Sequence, residues 1–217
     1  GLTTMDVSSN DSLTHLYLEN DSLTSITGLS NNTSLTYLRL KYNELTSLDL
    51  SGCTSLRDPQ VYGNNLSSLD LTGCTGMVTL DAKNNELTTL DLSTNDNLAT
   101  LLLEGNDITS IDVTNNPNLS YLRVHSNGLA SIDLSSNPSL SHLNLYNNDF
   151  TTLDVSNNPL LTYLNLSSND LTTLDVSDNP LLIQLHVSSN GLTTMDVSSN
   201  DSLTHLYLEN GSLTSIT

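Results

Sequence analysis

Apolar residues recur along this chain at a fixed spacing, and that spacing predicts most of its structure. Leu, Ile or Phe opens a new segment every 21 residues from Leu2 to Leu213, except for one 22-residue interval between Leu23 and Leu45, where Gly28 is the extra residue. Each segment has two halves of the form L-x-x-L-x-L-x-x-N, as residues 87–107 show. Because alternate residues face the same side of a strand, each half predicts one short strand with its leucines inward.

The short halves also predict how the strands are connected. Halves of eleven and ten residues leave no room for a helix, so each segment predicts one turn of two short parallel strands joined by tight corners. Turns stacked about 4.8 Å apart would enclose a leucine core between two parallel sheets. We therefore expect an all-β solenoid of about ten 21-residue turns, continuous over residues 1–217, with no helices and with uncapped ends.

An Asn ends nearly every half and predicts two internal ladders. At a corner the backbone leaves its sheet, and a buried amide can donate to and accept from the backbone groups that lose partners there. The first row comprises Asn10, Asn32, Asn95, Asn116, Asn137, Asn158, Asn179 and Asn200. The second row comprises Asn43, Asn64, Asn85, Asn106, Asn127, Asn148, Asn169 and Asn190.

Two cysteines, Cys53 and Cys74, replace Asn at consecutive positions of the first row. Stacked Cα atoms about 4.8 Å apart lie within disulfide range. Side chains in register point the same way, however, which makes the disulfide dihedral difficult. Buried, reduced thiols are therefore favoured over a disulfide.

The motif L-x-x-L-x-L-x-x-N is the core of the leucine-rich-repeat family. Residues 150–170, FTTLDVSNNPLLTYLNLSSND, resemble its bacterial subclass with nested 21-residue repeats, sometimes called IRREKO. The resemblance covers residues 1–217. It implies a non-enzymatic ligand-binding or adhesive solenoid, commonly on bacterial surfaces, and so an extracellular or cell-surface location. It does not name a ligand.

The first and last stretches of the chain are nearly identical. Residues 191–217 match residues 1–27 at 26 of 27 positions, whereas the neighbouring repeats 150–170 and 171–191 match at 14 of 21. The offset of 190 residues equals nine whole turns. We therefore expect residues 1–190 to be a super-repeat unit about 43 Å long, with residues 191–217 beginning the next unit. The alternative is a designed or recently duplicated protein of this length.

Charge and motifs exclude several functions. Five Lys and Arg against 24 Asp and Glu give a net charge of −19, which disfavours nucleic-acid partners and anionic membrane surfaces. No apolar run reaches the roughly 20 residues that span a bilayer. The histidines are scattered along an open sheet, and neither a phosphate-binding glycine loop nor zinc-ligand spacing is present. We expect no catalytic residues, no cofactor and no enzymatic activity.

Outward positions of the first sheet repeat a Thr/Ser–Asp–Ser/Thr pattern. Its Asp residues form a row from Asp49 to Asp196 with a 21-residue period. Like charges about 5 Å apart repel by around 1 kcal/mol even in water, so hydroxyl donors or bound cations should offset the repulsion. A weak candidate row for calcium comprises Asp91, Asp112, Asp133, Asp154 and Asp175. A solvated Asp/Thr face is the preferred interpretation, and the charge in every turn argues against ice binding.

Outward positions of the second sheet vary from turn to turn. All eight Tyr, all five His and all five Lys or Arg lie on its strands or at their ends. Tyr and Arg are enriched at binding hot spots, although cross-strand aromatic and charged pairs also stabilise exposed sheets. The candidate ligand-binding residues are Tyr37, Arg39, Tyr121, Arg123, His125, His142, Tyr146 and Tyr163. A protein or a glycan would suit this face.

Sequons of the form N-x-S/T are frequent. Those at Asn10, Asn32 and Asn200 should be buried in the first Asn ladder and so be unavailable for modification. Six others fall at corners or outward positions and are candidate N-glycosylation sites: Asn20, Asn31, Asn65, Asn118, Asn165 and Asn210.

Two hypotheses on function follow, and they can coexist. In the first, the chain is a structural or adhesive rod in a long tandem-repeat surface protein or extracellular filament, joined end to end with copies of itself or with a continuing chain. In the second, it is a receptor or adhesin module that binds protein or glycan through the Tyr/His/Arg face. A designed repeat protein is a third, less favoured interpretation.

Overall fold

The computed structural model describes residues 1–20 and 22–217, and within them the chain forms fifteen short strands and no helix. The strands are β1 (Thr4–Asp6), β2 (His15–Tyr17), β3 (Ser25–Thr27), β4 (Tyr37–Arg39), β5 (Ser47–Asp49), β6 (Ser68–Asp70), β7 (Thr79–Asp81), β8 (Thr100–Leu102), β9 (Tyr121–Arg123), β10 (His142–Asn144), β11 (Tyr163–Asn165), β12 (Gln184–His186), β13 (Thr194–Met195), β14 (His205–Tyr207) and β15 (Ser215–Ile216). They stack as a solenoid of about ten turns, which confirms the predicted all-β fold. We number the turns from Leu2 (turn 1) to Leu192 (turn 10).

The second sheet runs along the solenoid with one strand per turn. Its parallel pairs are in register, so that His142 lies beside Tyr121 on one side and Tyr163 on the other. Seven strands, β7 to β12 and β14, pair continuously, and β2 pairs with β4. Single bridges from Gln60 to Arg39 and to Asp81 connect the two groups through turn 3. Equivalent residues of successive turns therefore form straight columns on this sheet.

Turn 3 lacks a full strand because of Pro59, which stands where the other turns have the central Leu of the strand. In β4 and β7 to β12 that central residue is buried and lies within the ladder. Proline has no N–H to donate, so the ladder is reduced at this point to the two Gln60 bridges.

Unlike the second sheet, the first sheet is paired, within residues 1–20 and 22–217, at only three places: β1 with β3, β5 with β6, and β13 with β15. In the turns between β6 and β13 the expected alternation persists, for example with Leu90 and Leu92 buried and Asp91 exposed, but the backbone forms no named strand. First-row Asn side chains bond these turns to each other at the adjoining corner. Side-chain bonds at the corner thus replace much of the expected backbone ladder.

The core is a continuous column of inward Leu, Val and Ile side chains, with Phe150 as its largest fully buried member. Both Asn ladders are present, but they bond differently. Asn85 of the second row accepts from the Leu66 N–H at 3.1 Å and donates to the carbonyls of Val61 and Ala82 at 3.2 and 3.0 Å. Each second-row amide of turns 3 to 9 follows this scheme, so both its oxygen and its nitrogen are used.

First-row amides only donate. Asn116 donates to the carbonyls of Leu92 and Asn95 at 3.3 and 2.9 Å, while its buried Oδ1 has no partner among the described residues. The same oxygen is unpartnered in Asn32, Asn95, Asn137, Asn158, Asn179 and Asn200. The expectation that Asn10 is buried was wrong. It is exposed because turn 1 packs against a neighbouring turn on one side only.

The corner before the second Asn row requires the left-handed backbone conformation. Tyr42, Gly63, Asn84 and Gly105 occupy it in successive turns with φ between 52° and 67°. At Gly63 a Cβ would lie 2.7 Å from the ring of Tyr42, so glycine makes room for that ring. Gly28, the extra residue of the 22-residue interval, also has positive φ (80°), and a Cβ there would meet the Ser8 backbone.

Candidate ligand-binding face

The outward side chains of the second sheet form what we call the aromatic face, which consists of three columns. Column A holds the first outward residue of each turn: His15, Tyr37, Asp58, Thr79, Thr100, Tyr121, His142, Tyr163, Gln184 and His205. Column B holds Tyr17, Arg39, Gln60, Asp81, Leu102, Arg123, Asn144, Asn165, His186 and Tyr207. Column C, just after the strands, holds Glu19, Lys41, Tyr62, Lys83, Glu104, His125, Tyr146, Ser167, Ser188 and Glu209.

A ladder of aromatic rings extends along this face from turn 6 to turn 10. His142 stacks between Tyr121 and Tyr163, with centroids 4.0 and 4.2 Å away and ring planes within 6° of parallel. The ladder then crosses to column B, where His186 lies 5.4 Å from Tyr163 and stacks on Tyr207 at 4.2 Å. The stacked rings cover one another's faces and leave their edges toward solvent. Burial, together with the positive charge of Arg123, lowers the pKa of His142 to about 4, so His142 is neutral at physiological pH.

Turns 4 to 6 hold a charged cluster at the centre of the face. Arg123 pairs with Glu104 at 3.3 Å and donates to Nε2 of His125 at 3.2 Å, while Lys83 pairs with Asp81 at 3.4 Å. Since a guanidinium can only donate, His125 is held here as the neutral acceptor. Burial lowers the pKa of His125 and raises that of Asp81.

The two acids of this cluster are the residues that sequence reasoning missed. Asp81 is 9% exposed and Glu104 6% exposed, and each has one carboxylate oxygen without a hydrogen-bond partner among the described residues. In the sequence they stand as single acids on different turns. The signal that could have found them is that Asp81 and Glu104 stand on adjacent turns and in neighbouring columns. Stacking in register brings such diagonal neighbours close together.

In turns 1 to 4, three cationic side chains lie beside tyrosine rings. The Arg39 guanidinium lies 5.1 Å from the centre of the Tyr17 ring, and Lys83 lies 4.6 Å from that of Tyr62. Lys41 pairs with Glu19 at 3.2 Å and also lies 5.8 Å from the Tyr62 ring centre. These are cation–π distances, and they favour ordered side chains at an exposed surface.

The structure divides the predicted site residues into two groups. Six of them lie together in turns 6 to 8: Tyr121, Arg123, His125, His142, Tyr146 and Tyr163. Tyr37 and Arg39 lie apart in turn 2, separated from the others by turns 3 to 5. A surface feature that was not predicted is an exposed aliphatic group beside the ring ladder, formed by Leu160, Leu181 and Ile183, at positions that are polar in most turns.

Formal charge is strongly segregated between the two faces. Only five of the 24 acids stand on the aromatic face, namely Glu19, Asp58, Asp81, Glu104 and Glu209. All five Lys and Arg lie on that face or, for Arg57, at its edge. With histidines neutral, the aromatic face is therefore neutral, and the first face with its corners carries the whole net charge of −19.

The Asp row on the first face serves the backbone. Each Asp accepts a hydrogen bond at 2.9 Å from the N–H two residues later, as Asp91 does from Ser93 and Asp154 from Ser156. Bonds from the backbone and the hydroxyl of that residue lower the pKa of the Asp91, Asp112, Asp133, Asp154 and Asp175 carboxyls. The described residues include no group of three or more His, Cys, Asp or Glu that is arranged to hold a metal ion. Hydroxyl and amide donors thus offset the repulsion in this row.

Comparisons with known proteins show which solved structures this solenoid resembles. No family model and no curated protein matches the chain. Among solved structures, the functional domain of InlJ from Listeria monocytogenes is 34% identical, with a TM-score of 0.89 over 97% of this chain and 46% of that one. A leucine-rich-repeat protein of Leptospira interrogans is 24% identical, with a TM-score of 0.83 over 97% of this chain and 61% of that one. This chain is a leucine-rich-repeat protein.

Less similar structures extend the likeness in fold alone. A chain in the Toll–Spatzle complex of Drosophila is 22% identical, with a TM-score of 0.82 over 100% of this leucine-rich-repeat chain and 36% of that one. This chain therefore spans less than two thirds of the length of each of these three structures.

The cysteines of this leucine-rich-repeat protein are free and buried, as favoured from the sequence. The Cys53 and Cys74 thiols donate to the Leu29 and Leu50 carbonyls, each at 3.1 Å. Burial raises the pKa of Cys53 to about 11 and that of Cys74 to about 12, so both thiols stay protonated. The InlJ domain is described as including a cysteine ladder. Here two consecutive ladder positions carry cysteine.

The candidate glycosylation sites of this leucine-rich-repeat protein differ in exposure. Asn20, Asn31, Asn65 and Asn118 are exposed, and Asn165 is half-buried on the aromatic face. Asn210 is half-buried, and its side chain accepts from the Asn190 N–H at 2.7 Å and donates to the Val187 carbonyl at 3.0 Å. Because Gly211 stands at the second-row position, Asn210 fills the ladder role of its neighbour. A glycan on Asn210 would disturb that contact.

Proposed function

We propose that this leucine-rich-repeat protein is a non-catalytic recognition module, displayed outside the cell, that binds a protein partner through the aromatic face. The observation that carries the proposal is the segregation of chemistry between the two sheets. Every Tyr, His, Lys and Arg lies on one neutral face or at its edge, while the rest of the surface repeats Ser, Thr, Asn and Asp. Aromatic and Arg side chains supply most of the binding energy at protein interfaces, whereas Asp and Ser are depleted there.

The packing of the rings favours a protein over a glycan. A sugar binds an aromatic side chain by laying its C–H groups on an open ring face. In the Tyr121–His142–Tyr163 stack both faces of His142 and the inner face of each tyrosine are covered, since neighbouring centroids lie only 4.0 to 4.2 Å apart. Ring edges, hydroxyls and the central ion pairs remain for contact, and these suit the mixed polar and apolar surface of a protein. The Toll–Spatzle structure shows that a chain of this fold can be found in a complex with a protein.

The test is a binding screen followed by face-specific substitutions. The purified chain is screened against an array of recombinant extracellular proteins, and each hit is titrated with two double variants. Y146A/Y163A truncates the aromatic face, and T89A/T152A truncates exposed positions of the first face. We expect at least about tenfold weaker binding for Y146A/Y163A, which is about 1.4 kcal/mol, and no change for T89A/T152A. Hits that depend on the first face, or on neither face, would contradict the proposal.

A second candidate function, structural continuation in a long array, rests on the 26 of 27 matches between residues 1–27 and 191–217. A displacement of nine whole turns keeps the columns and ladders in phase, so that 190-residue units would extend one solenoid. Negative-stain microscopy of native material and the intact chain mass test this idea. Long fibres, or a chain far heavier than 23.4 kDa, would support it, and short particles of that mass would refute it.

A further inference from the structure

Two of the five Lys and Arg side chains have no acidic partner in the part of the chain that the structure describes. Lys41, Lys83 and Arg123 each form an ion pair, whereas Arg39 and Arg57 form none within the described residues. Both arginine residues are exposed. A chain with 24 acidic residues offers many potential partners, so two unpaired arginines in adjacent turns are not explained by the fold.

The two arginines lie near exposed tyrosines in turns 2 and 3. Arg39 is in column B with its guanidinium over the Tyr17 ring, and Arg57 precedes column A by one residue. Tyr37, beside them in column A, is 42% exposed. Turns 1 and 4 lie on either side of turns 2 and 3. The exposure of Arg39, Arg57 and Tyr37 therefore does not come from an open end of the solenoid. Turn 3 contributes to it, because Asp58 stands in column A beside Tyr37, where turn 1 on the other side has the His15 ring.

The nearest acid along the sequence does not neutralise this patch. Asp58 is half-buried in column A and forms no ion pair with either arginine among the described residues. Elsewhere on the face, each acid of the ion pairs already has its own cation. Arginine presents a planar set of donors that fits a carboxylate through two parallel hydrogen bonds, and neighbouring rings add apolar contact.

We propose that Arg39 and Arg57, together with Tyr37, form the docking point for an acidic segment of the protein partner, whose carboxylates they receive. This inference rests on the proposed function and adds the chemistry of the partner. It opposes the expectation from bulk charge, since a surface of net charge −19 should attract basic ligands. The two expectations differ in sign, which makes the inference easy to test.

The probe is a phage-displayed library of random 12-residue peptides, selected on the intact chain at about 150 mM salt, where long-range attraction is screened beyond roughly 8 Å. Enriched peptides are synthesised and titrated against the wild type and R39Q/R57Q. The matched control is T89D/T152D, which changes net charge by the same −2 on the first face. R39K tests the planar donor set at constant charge.

We expect the enriched peptides to be rich in Asp and Glu. Their affinity should fall at least about tenfold in R39Q/R57Q, fall part of the way in R39K, and stay within about twofold in T89D/T152D. Thermal unfolding of each variant checks that the solenoid is intact.

Other results separate the inference from the function beneath it. Basic or neutral peptides, or peptides that need Tyr146 and Tyr163 but not the arginines, would overturn the acidic docking point and leave the recognition face standing. Peptides indifferent to every substitution on the aromatic face, or no enrichment at all, would overturn both.

Discussion

At the scale of single residues, the two Asn rows show how hydrogen-bond demand selects a side chain. First-row positions need only a donor, because the Oδ1 of Asn95 and of its stacked equivalents has no partner among the described residues. A thiol can supply that donor, which explains why Cys53 and Cys74 fit there. Second-row positions need a donor and an acceptor, which a thiol cannot provide equally well.

This difference predicts unequal costs for the same substitution. Asn95→Cys should lower the free energy of unfolding by no more than about 1 kcal/mol, because the thiol keeps a donor in the corner. Asn85→Cys should cost about 2 kcal/mol or more, since the Leu66 N–H loses its acceptor and stays buried. Urea unfolding of both variants under reducing conditions gives the comparison. Equal losses in the free energy of unfolding would mean that the two Asn rows do not differ in the hydrogen bonds they require.

The Asp row makes a second prediction at this scale. Asp112 accepts from the backbone N–H of Thr114 at 2.9 Å, and the repeating bond satisfies a donor at the end of each first-sheet segment. Asn keeps this acceptor and removes the charge, whereas Ala removes both. We expect Asp112→Ala to lower the melting temperature at pH 7 and Asp112→Asn to lower it less, because the amide oxygen still accepts from Thr114.

Acid should narrow the difference between Asp112→Ala and the wild type, because a protonated carboxyl keeps its acceptor oxygen but loses the charge. The pKa of Asp112 is lowered in the folded protein, so its stabilisation is complete above the unfolded pKa and is lost as pH falls through the lower, folded value. Melting curves at pH 7 and below about pH 3 check this sign. A penalty for Asp112→Ala that is as large in acid as at neutral pH would show that the charge of Asp112 does not contribute to stability.

At the scale of elements, periodicity predicted the strands well and their pairing less well. The inward leucines at alternate positions identified β7 to β12 directly, because burial of those side chains sets the strand. Whether neighbouring segments also form backbone hydrogen bonds depends on the distance between their backbones. The residue types do not determine that distance. The first-sheet segments of turns 5 to 9 have the same pattern as β5 and β6 and yet are unpaired.

The candidate site was predictable to the same extent. Column membership follows from the period, so the face and its segregated residues could be read from the sequence. The stacking of His142 between two tyrosines, and the burial of Asp81 and Glu104 beneath their cations, depend on rotamers that settle only once the neighbouring turns are in place.

The ring ladder gives a prediction in the pH dependence of stability. His142 has a pKa lowered to about 4 in the folded chain, whereas an exposed imidazole titrates near 6.5. Its contribution is therefore complete above about pH 6.5 and is lost progressively as pH falls toward 4. Between pH 7 and 4.5 the wild type should lose more stability than His142→Gln. Parallel slopes for the two proteins in urea unfolding would exclude this contribution.

At the scale of the whole molecule, the separation of charge gives the solenoid two unlike sides. The aromatic face is neutral, so the partner proposed for it would meet no long-range repulsion, while the acidic first faces and corners of two copies repel each other. The described residues form three ion pairs, all of them on the aromatic face. The acidic row, in contrast, extends over most of the turns. Like-charge neighbours along that row outnumber the three ion pairs, although hydrogen bonds offset part of the repulsion at each Asp.

Salt should therefore stabilise this protein. Raising NaCl from about 10 to about 500 mM shortens the screening length from roughly 30 to below 8 Å, which weakens the repulsion between Asp residues on neighbouring turns. We expect the melting temperature to rise with salt. The triple variant D91N/D133N/D175N, which keeps an acceptor oxygen at each position, should respond less to added NaCl than the wild type. If salt lowers the melting temperature of the wild type, the three ion pairs outweigh the row. A triple variant with the same salt response would show that the repulsion lies elsewhere, in the acidic corners.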